Sequence, residues 1–468
     1  MRNFIQFWLN GEKKEVSGEQ ALMTLSSYLR YERQLTGTKV VCAEGDCGAC
    51  SVMVARNPLS ARRDYFAINS CIAMTFAMDG CHIVTVEGLS QNGQLSEVQS
   101  SMVRNFGGQC GFCTPGFVMA ITNLHEHKQN PTEQNVKNYL TGNLCRCTGY
   151  APIIKAALDV NPEKHQKICE RFPLHNFSNM LNESVQIRHE GVEFFAPLTL
   201  AEAVQYKKQN PSATIFSGST DLGVQYNKGH IRPQKIMSLH LVPELYENRI
   251  SGDEVFVGAR VTLNELEDLV SDNIPALSEF LHIFASPQIK QSATLVGNLA
   301  NASPIADTTP VMLALDAVVH VQGASGERKI FLDELYLSYK KLSLTSDEII
   351  KGVSFKIPES KAKFKNFKVS QRRDLDISTV NASFNFKLEG AVVQDLRIAY
   401  GGVAPTTVRL KKVEDSLRGK TLTPDLIAEA KKDIVNSVNP ISDVRAGADF
   451  RRLVVGNLFQ KFADENLL

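Results

Sequence analysis

The stretch Cys42-Ala43-Glu44-Gly45-Asp46-Cys47-Gly48-Ala49-Cys50, followed downstream by Cys71, decides how this chain is read. The spacing C-x4-C-x2-C with a fourth, separate cysteine is that of plant-type 2Fe–2S sites. Two irons need four thiolates around a compact inorganic core. Three therefore come from one loop wrapped over it and the fourth from elsewhere. Gly45 and Gly48 predict positive φ and a close approach of backbone N–H groups to the sulfurs. A zinc knuckle shares the Cys47-x2-Cys50 pair, but zinc sites usually offer two such pairs, and the other partners here are a lone Cys42 and a lone Cys71. Upstream, residues 4–9 and 13–16 read as strands around the turn Asn10-Gly11. Leu22, Leu25, Tyr28 and Leu29 then recur at helical spacing. Residues 51–54 read as the strand leaving the cysteine loop.

A second group follows: Gly108-Gln109-Cys110-Gly111-Phe112-Cys113-Thr114-Pro115-Gly116-Phe117, then Cys145-Arg146-Cys147-Thr148-Gly149-Tyr150. Thr114 with Pro115 predicts a helix start, the threonine hydroxyl acting as cap. Phe117, Ile121 and Leu124 share one helical face. Val136, Tyr139 and Leu140 mark a second helix, and Ile153, Ile154, Ala157 and Leu158 behind Pro152 a third. Four thiols then converge from two helix starts, where partial positive charge favours anions. Taken alone, C-x2-C…C-x-C suits zinc as readily as iron–sulfur. Its place directly after a plant-type loop favours two clusters in tandem.

Around these groups the composition sets bounds. The chain has 468 residues, which favours about three domains. It is 43% hydrophobic and 22% charged, a soluble and globular balance, and its formal charge of +1 argues against nucleic acid as partner. No apolar run approaches the ~20 residues of a membrane helix, and the N-terminus lacks a signal-peptide core, so a cytoplasmic location is expected. Of the ten cysteines, the last is Cys169, and the long remainder has none. Residues 161–193, with Pro162 and Pro173 and little periodicity, read as a linker. Cys81 reads as a buried thiol, Cys169 as a linker thiol, His125 and His127 as helix-surface residues, and Trp8 as part of a strand.

Beyond the linker the pattern becomes mixed α/β. Residues 213–216 read as a strand running into Ser217-Gly218-Ser219-Thr220-Asp221-Leu222-Gly223, whose composition suits an ordinary polar turn as well as an anion-binding nest. Residues 292–307 have the same small, polar character. No G-x-G-x-x-G follows a strand, so a Rossmann site is unsupported. Gly419-Lys420-Thr421 mimics a phosphate-binding loop, but Glu414 stands where glycine is required.

The two cysteine motifs, in this order, resemble the iron–sulfur portion of the molybdenum hydroxylases, the xanthine dehydrogenase and aldehyde oxidase family. The resemblance implies an α+β multidomain chain. Its parts would be a plant-type ferredoxin-like β-grasp domain (1–88), an all-helical 2Fe–2S domain (89–160) and a linker (161–192). An FAD domain like that of vanillyl-alcohol oxidase (193–360) and a small α/β C-terminal domain (361–468) would follow. Cys42, Cys47, Cys50 and Cys71 would bind one cluster, and Cys110, Cys113, Cys145 and Cys147 the other. Gln109 matches a family glutamine that touches molybdopterin in the partner domain, while Phe106 replaces a common family histidine. Ile215, Phe216, Ser217, Gly218, Ser219, Thr220, Asp221 and Leu222 would line the pyrophosphate and ribityl region of FAD. Phe284, Thr294, Leu295, Val296, Gly297, Asn298, Asp307, Ile350 and Lys368 would contact the rest. Arg372, Arg373 and Asp376 correspond to a mobile charged loop near the flavin, and residues 401–405 to a recurrent glycine turn.

Complete single-chain members continue into a large molybdopterin domain where this sequence ends. The resemblance therefore implies an iron–sulfur and FAD small subunit of a xanthine dehydrogenase-type enzyme with no catalytic residue of its own for hydroxylation. It would pair with a molybdopterin subunit, deliver electrons to NAD, and assemble as a dimer of heterodimers. An aldehyde or N-heterocycle hydroxylase is the alternative substrate class, with oxygen or a quinone as alternative acceptors. A zinc-stabilised, redox-inactive interaction scaffold is the alternative of another kind.

Overall fold

In the computed structural model, residues 1–57, 59–60, 62, 64–174 and 181–467 are described. The middle of the expected linker (175–180) and Leu468 lie outside them. The chain divides into two compact units, Met1–Tyr246 with Ala285–Ala293, and Glu247–Phe284 with Thr294–Leu468.

The first unit opens on a five-stranded sheet of β1 (Ile5–Leu9), β2 (Glu12–Val16), β3 (Ser51–Ala55), β4 (Tyr65–Asn69) and β5 (His82–Val84), in the order β2-β1-β5-β3-β4. β1 runs parallel to β5, and the other neighbours are antiparallel, which is the β-grasp arrangement. Asn10 and Gly11 both take positive φ (51° and 87°), as the tight hairpin demands. Side chains alternate across a strand, and here both faces are buried. Val52, Val54, Phe66, Ile68 and Ile83 enter one core, while Met53, Ala55, Tyr65, Ala67 and Val84 enter another. A sheet covered on both sides explains why β3 and β4 are apolar without alternation.

The second of these cores is shared with four helices, Glu97–Arg104, Thr114–His127, Glu133–Leu140 and Ala151–Leu158. Thr114–His127 is buried on every face from Gly116 to Glu126, so it forms the centre of the layer. His125 and His127 are therefore not surface residues. His125 is 3% exposed, with its Nε2 2.8 Å from the Ala157 carbonyl, and the half-buried His127 places Nε2 2.8 Å from the Tyr65 carbonyl. The expected Leu22–Leu29 helix is also broken. Thr24 forms an isolated bridge to Met74 and caps a fresh turn at Leu25–Ser27, which continues as a wider π-type turn, Tyr28–Glu32.

The opposite core joins the sheet to a four-stranded lobe of β6 (Val185–His189), β7 (Val192–Ala196), β8 (Thr214–Phe216) and β9 (Lys235–Ser238), ordered β6-β7-β9-β8. β6 falls in the expected linker, where alternate burial of Val185 and Ile187 supports a strand. A short helix, Ile168–Arg171, lies there too, its first N–H groups held by the buried carboxylate of Glu126.

The second unit contains β10 (Asn248–Ser251), β11 (Glu254–Gly258), β12 (Val318–Gly323), β13 (Gly326–Phe331), the hairpin β14 (Tyr336–Ser338) and β15 (Lys341–Leu342), and β16 (Ile349–Lys356). The five-stranded order is β10-β11-β16-β12-β13. A final sheet of β17 (Lys363–Val369), β18 (Val380–Glu389), β19 (Val392–Gly401) and β20 (Val408–Arg409) packs helices Pro424–Asn436 and Ala448–Asn466 on one face. Phe384 of β18 stacks on Phe462, with ring centroids 4.8 Å apart. Arg451 is buried, and its guanidinium holds the glycine turn by donating to the carbonyls of Thr379 and Gly402 at 2.6 and 2.9 Å. Among the described residues, no helix is long and apolar enough to cross a membrane.

Candidate functional site

The loop carrying Cys42, Cys47 and Cys50 is irregular, bent by positive φ at Gly45 (76°), Gly48 (68°) and also Ala43 (55°). The alanine is an expense of conformational energy that the sequence did not announce. The bends turn the Glu44 and Cys47 N–H groups onto the Cys42 Sγ, each at 3.4 Å. Cys71 joins from just beyond the end of β4. Cys50 and Cys71 are each 2% exposed, whereas Cys42 and Cys47 are half-buried. Asn69 braces the loop by donating to the Gly45 carbonyl at 2.6 Å. The thiols of Cys47 and Cys71 donate to Cys42 and hold it well below the usual thiol range, and Cys71 does the same for Cys50. Cys47 and Cys71 are pushed up in turn by those same bonds and by burial.

In the second group, the sulfurs of Cys145 and Cys147 lie 3.8 Å apart, and those of Cys147 and Cys110 3.7 Å apart. These distances are far beyond a disulfide bond of about 2 Å, and all ten cysteines are free. Cys113, rather than Thr114, is the cap residue of Thr114–His127. Threonine and proline occupy the first two helical positions, and the Thr114 hydroxyl makes no cap bond. The shift brings the sulfur itself to the helix start. Burial raises Cys113 to about 12, with Cys145 adding to the rise. At Cys145 burial opposes ionisation, but bonds from Thr148 and from backbone N–H groups outweigh it and bring the thiol to about 7. Cys110 and Cys147 are exposed, as is Gln109, and Val103, Phe106 and Phe112, close to Cys110 in the sequence, also expose apolar side chains. Phe106 is 81% exposed at a positive φ of 55°.

Glycines lock the two groups together. A Cβ on Gly116 would fall 2.3 Å from the Gly48 carbonyl oxygen, and one on Gly48 would fall 2.2 Å from that of Gly142. Only bare backbone allows the loop before Cys145, the helix after Cys113 and the loop holding Cys47 to meet. The Leu144 N–H donates to the Cys47 carbonyl at 3.0 Å, and Asn143 Nδ2 to the Gly48 carbonyl at 3.1 Å. Gln288 Nε2 closes the junction on Asn143 Oδ1 at 2.8 Å, and both side chains are buried. Sequence reading missed Asn69, Asn143 and Gln288, because a lone amide carries no spacing or pattern that names its distant partner.

Of the expected flavin residues, Ile215–Leu222 lie in the first unit and the rest in the second. Ile215 and Phe216 end β8, and Ser217 and Gly218 turn into the helix Thr220–Asn227. Ser219 takes the left-handed conformation at its start, and Asp221 and Leu222 lie in its first turn. A Cβ on Gly218 would meet the Ser292 carbonyl oxygen at 2.1 Å, and the buried Ser219 hydroxyl has no hydrogen-bond partner. A glycine-lined turn, a helix N-terminus and an orphaned hydroxyl fit a phosphate-bearing cofactor. In the second unit, Thr294 caps the short helix Leu295–Ala300 through the Gly297 N–H at 3.0 Å, with Leu295 and Val296 buried. Asn298 Oδ1 accepts from the Thr308 hydroxyl at 2.6 Å. Asp307 is bound by Lys368 Nζ at 2.6 Å, the Ser378 hydroxyl at 2.5 Å and Asn381 Nδ2 at 3.0 Å. Ile350 is buried on β16, and Phe284 is half-buried at a helix end. Arg372, exposed, is folded back on Asp376, whose carboxylate accepts its N–H at 2.8 Å, and Arg373 is exposed beside it.

Comparison with known proteins finds four domain families along the chain. Residues 7–74 match the family described as 2Fe-2S iron-sulfur cluster binding domain, and residues 85–158 that described as 2Fe-2S binding domain. Residues 189–360 match the FAD binding domain in molybdopterin dehydrogenase, and 365–466 the CO dehydrogenase flavoprotein C-terminal domain. Xanthine dehydrogenase 1 of Arabidopsis thaliana is 30% identical over 97% of this chain and 39% of its own length. Aldehyde oxidase 4 of Cavia porcellus is 28% identical over the same shares. The chain thus spans about two fifths of the curated relatives it matches. In fold, it resembles a chain of carbon monoxide dehydrogenase from Hydrogenophaga pseudoflava (TM-score 0.56, 24% identity, 59% of this chain and 96% of that one). It also resembles a chain of quinoline 2-oxidoreductase from Pseudomonas putida 86 (TM-score 0.54, 24% identity, 58% and 95%).

Proposed function

The chain belongs to the molybdenum hydroxylase family, whose 2Fe–2S and flavin domains it carries, and from that premise we propose that it is the electron-transfer subunit of a xanthine dehydrogenase. In this reading, Cys42, Cys47, Cys50 and Cys71 hold one cluster, and Cys110, Cys113, Cys145 and Cys147 the other. Ile215–Leu222 with Phe284, Thr294–Asn298, Asp307, Ile350 and Lys368 hold FAD. The domains run 1–88, 89–160, 193–360 and 361–468. When bound, these groups supply single-electron transfer and its conversion into two-electron chemistry with NAD.

The chain's own residues do the positioning. The observation that carries the reading is the glycine-locked junction at Gly48, Gly116 and Gly142, where the segments bearing the two cysteine groups meet backbone to backbone, braced by Asn143 and Gln288. Two thiols of the first group, Cys50 and Cys71, are buried, whereas Cys110 and Cys147 of the second are exposed in the same stretch of structure that exposes Phe106 and Phe112. Exposed aromatic side chains of this kind suit docking of a larger molybdopterin subunit, which would supply the hydroxylation site for hypoxanthine or xanthine. The assembly would be a cytoplasmic dimer of heterodimers. An aldehyde or N-heterocycle substrate is the second reading, favoured by the equal coverage of the aldehyde oxidase relative.

Metal analysis tests the first premise. About four irons with acid-labile sulfide per chain support it, and a colourless zinc protein overturns it in favour of a scaffold. In the complete complex, Cys113→Ser should abolish xanthine turnover while NADH still reduces the flavin. Full turnover in that variant refutes the relay, and turnover of aldehydes with none of xanthine refutes the purine assignment.

A further inference from the structure

The helix Thr220–Asn227 begins at the glycine turn and ends against the first cysteine group, and its contacts there have no role in the reading so far. Asn227, half-buried at the last helical position, spends both amide hydrogens at once. Its Nδ2 donates to the carbonyl of Ala43, the residue after Cys42, and to the carbonyl of Cys71 itself, each at 2.8 Å. The same helix is pressed onto this segment one turn earlier, where a Cβ on Gly223 would lie 2.2 Å from the Ile72 carbonyl oxygen. Val224 packs against Cys50, Cys71 and Ile72, and Lys228 pairs with Glu44 at 2.8 Å.

We propose that Asn227 is a positioning residue for the first cluster, one that fixes its two chain segments relative to each other and sets how readily the cluster accepts an electron. The proposal rests on the assignment of Cys42, Cys47, Cys50 and Cys71 as its ligands. Cys42 and Cys71 come from different parts of the sequence, and no peptide bond fixes their separation. One planar amide bonded to both carbonyls does. The two N–H groups also bring their positive ends to the ligand-bearing segments and offset the negative ends of both carbonyls, which favours the reduced, more negative state. Groups that orient ligands in this way tune a metal site without touching the metal. An arginine or lysine would add charge, and a serine would offer only one hydrogen. Asparagine meets both acceptors while staying neutral.

The full chain, loaded with iron and flavin, is examined by electron paramagnetic resonance during a stepwise reductive titration, which reports the two clusters separately. Asn227→Asp keeps the shape, loses both donors and adds a negative charge. Its first-cluster reduction equilibrium should fall at least tenfold, about 59 mV for one electron, with the second cluster unmoved. Asn227→Ala, with no added charge, should shift the same cluster in the same direction by at least threefold and alter its line shape. A shift in Asn227→Asp with none in Asn227→Ala would mark charge alone and overturn the proposal, as would equal shifts in both clusters or silence in both variants. Absence of any iron signal in the parent protein would instead refute the ligand assignment beneath it.

Discussion

Gly116→Ala probes the junction on which the proposed relay depends. In an isolated helix, alanine would stabilise Thr114–His127 by about 1 kcal/mol over glycine. Here the added Cβ would stand 2.3 Å from the Gly48 oxygen and 2.9 Å from the Ala49 Cα. An ordinary carbon–oxygen contact is about 3.3 Å or more, so the loop must retreat by roughly 1 Å. That carbonyl already accepts from the Ser51 hydroxyl at 2.7 Å, the Ser51 N–H at 3.1 Å and Asn143 Nδ2 at 3.1 Å. Straining these bonds, each worth about 1 kcal/mol, adds to an overpacking cost of about 1–3 kcal/mol. The net expectation is a loss of about 2–4 kcal/mol. Urea denaturation of the loaded full chain, followed by its visible absorbance, measures this loss. The magnetic coupling between the two reduced clusters should weaken in the same variant as the loop moves away. Stability within about 0.5 kcal/mol of the parent, with coupling unchanged, would show that the contact at Gly116 is slack and refute the interlock.

Two further outcomes are expected. Lys368 and Asp307 form an ion pair 1% and 8% exposed, so Lys368→Met should cost about 3–5 kcal/mol by stranding a buried carboxylate. The double variant with Asp307→Asn should recover most of the loss, and a double variant less stable than the single would contradict the pairing. Burial pushes His125, His127 and His165 below the ordinary histidine value of 6.5, with Asp64 partly opposing at His127 and Glu126 and Glu170 at His165. These bases stay neutral when folded and take up protons only on unfolding, so their stabilisation is complete above about pH 6.5 and drains away as pH falls below it. Thermal midpoints of the full chain should decline from pH 6.5 to 5, less steeply in His125→Gln. A flat or rising profile would be incompatible with burial of three neutral rings.

Much of the first unit was legible because its chemistry is written in residue types with few other uses. Cysteine spacing named both thiol groups, Asn10-Gly11 named the hairpin, and the small residues from Ser217 to Gly223 named the turn after the strand, though not the helix Thr220–Asn227 that it opens. Failures came where one side chain has two good environments. His125 and His127 carry ring nitrogens suited to water, yet a single backbone carbonyl satisfies each in the interior. Thr114 is a good cap by type, but the helix begins one residue earlier, at the sulfur. The helical spacing from Leu22 to Leu29 was overridden by the long-range bridge of Thr24 to Met74. Asn143, Gln288 and Asn227 could not be foreseen, since their partners are backbone carbonyls and amides far along the chain.

The unequal exposure of the two thiol groups also bears on how the protein matures. Cys50 and Cys71 are closed over by β3, β4 and the helix ending at Asn227. In the proposed reading, iron and sulfide would meet Cys50 and Cys71 most easily before those segments close, while Cys42 and Cys47 stay partly open afterwards. Cys110 and Cys147 lie open on the finished surface, so of the two proposed sites theirs would be the more accessible to incoming iron and to oxidants alike.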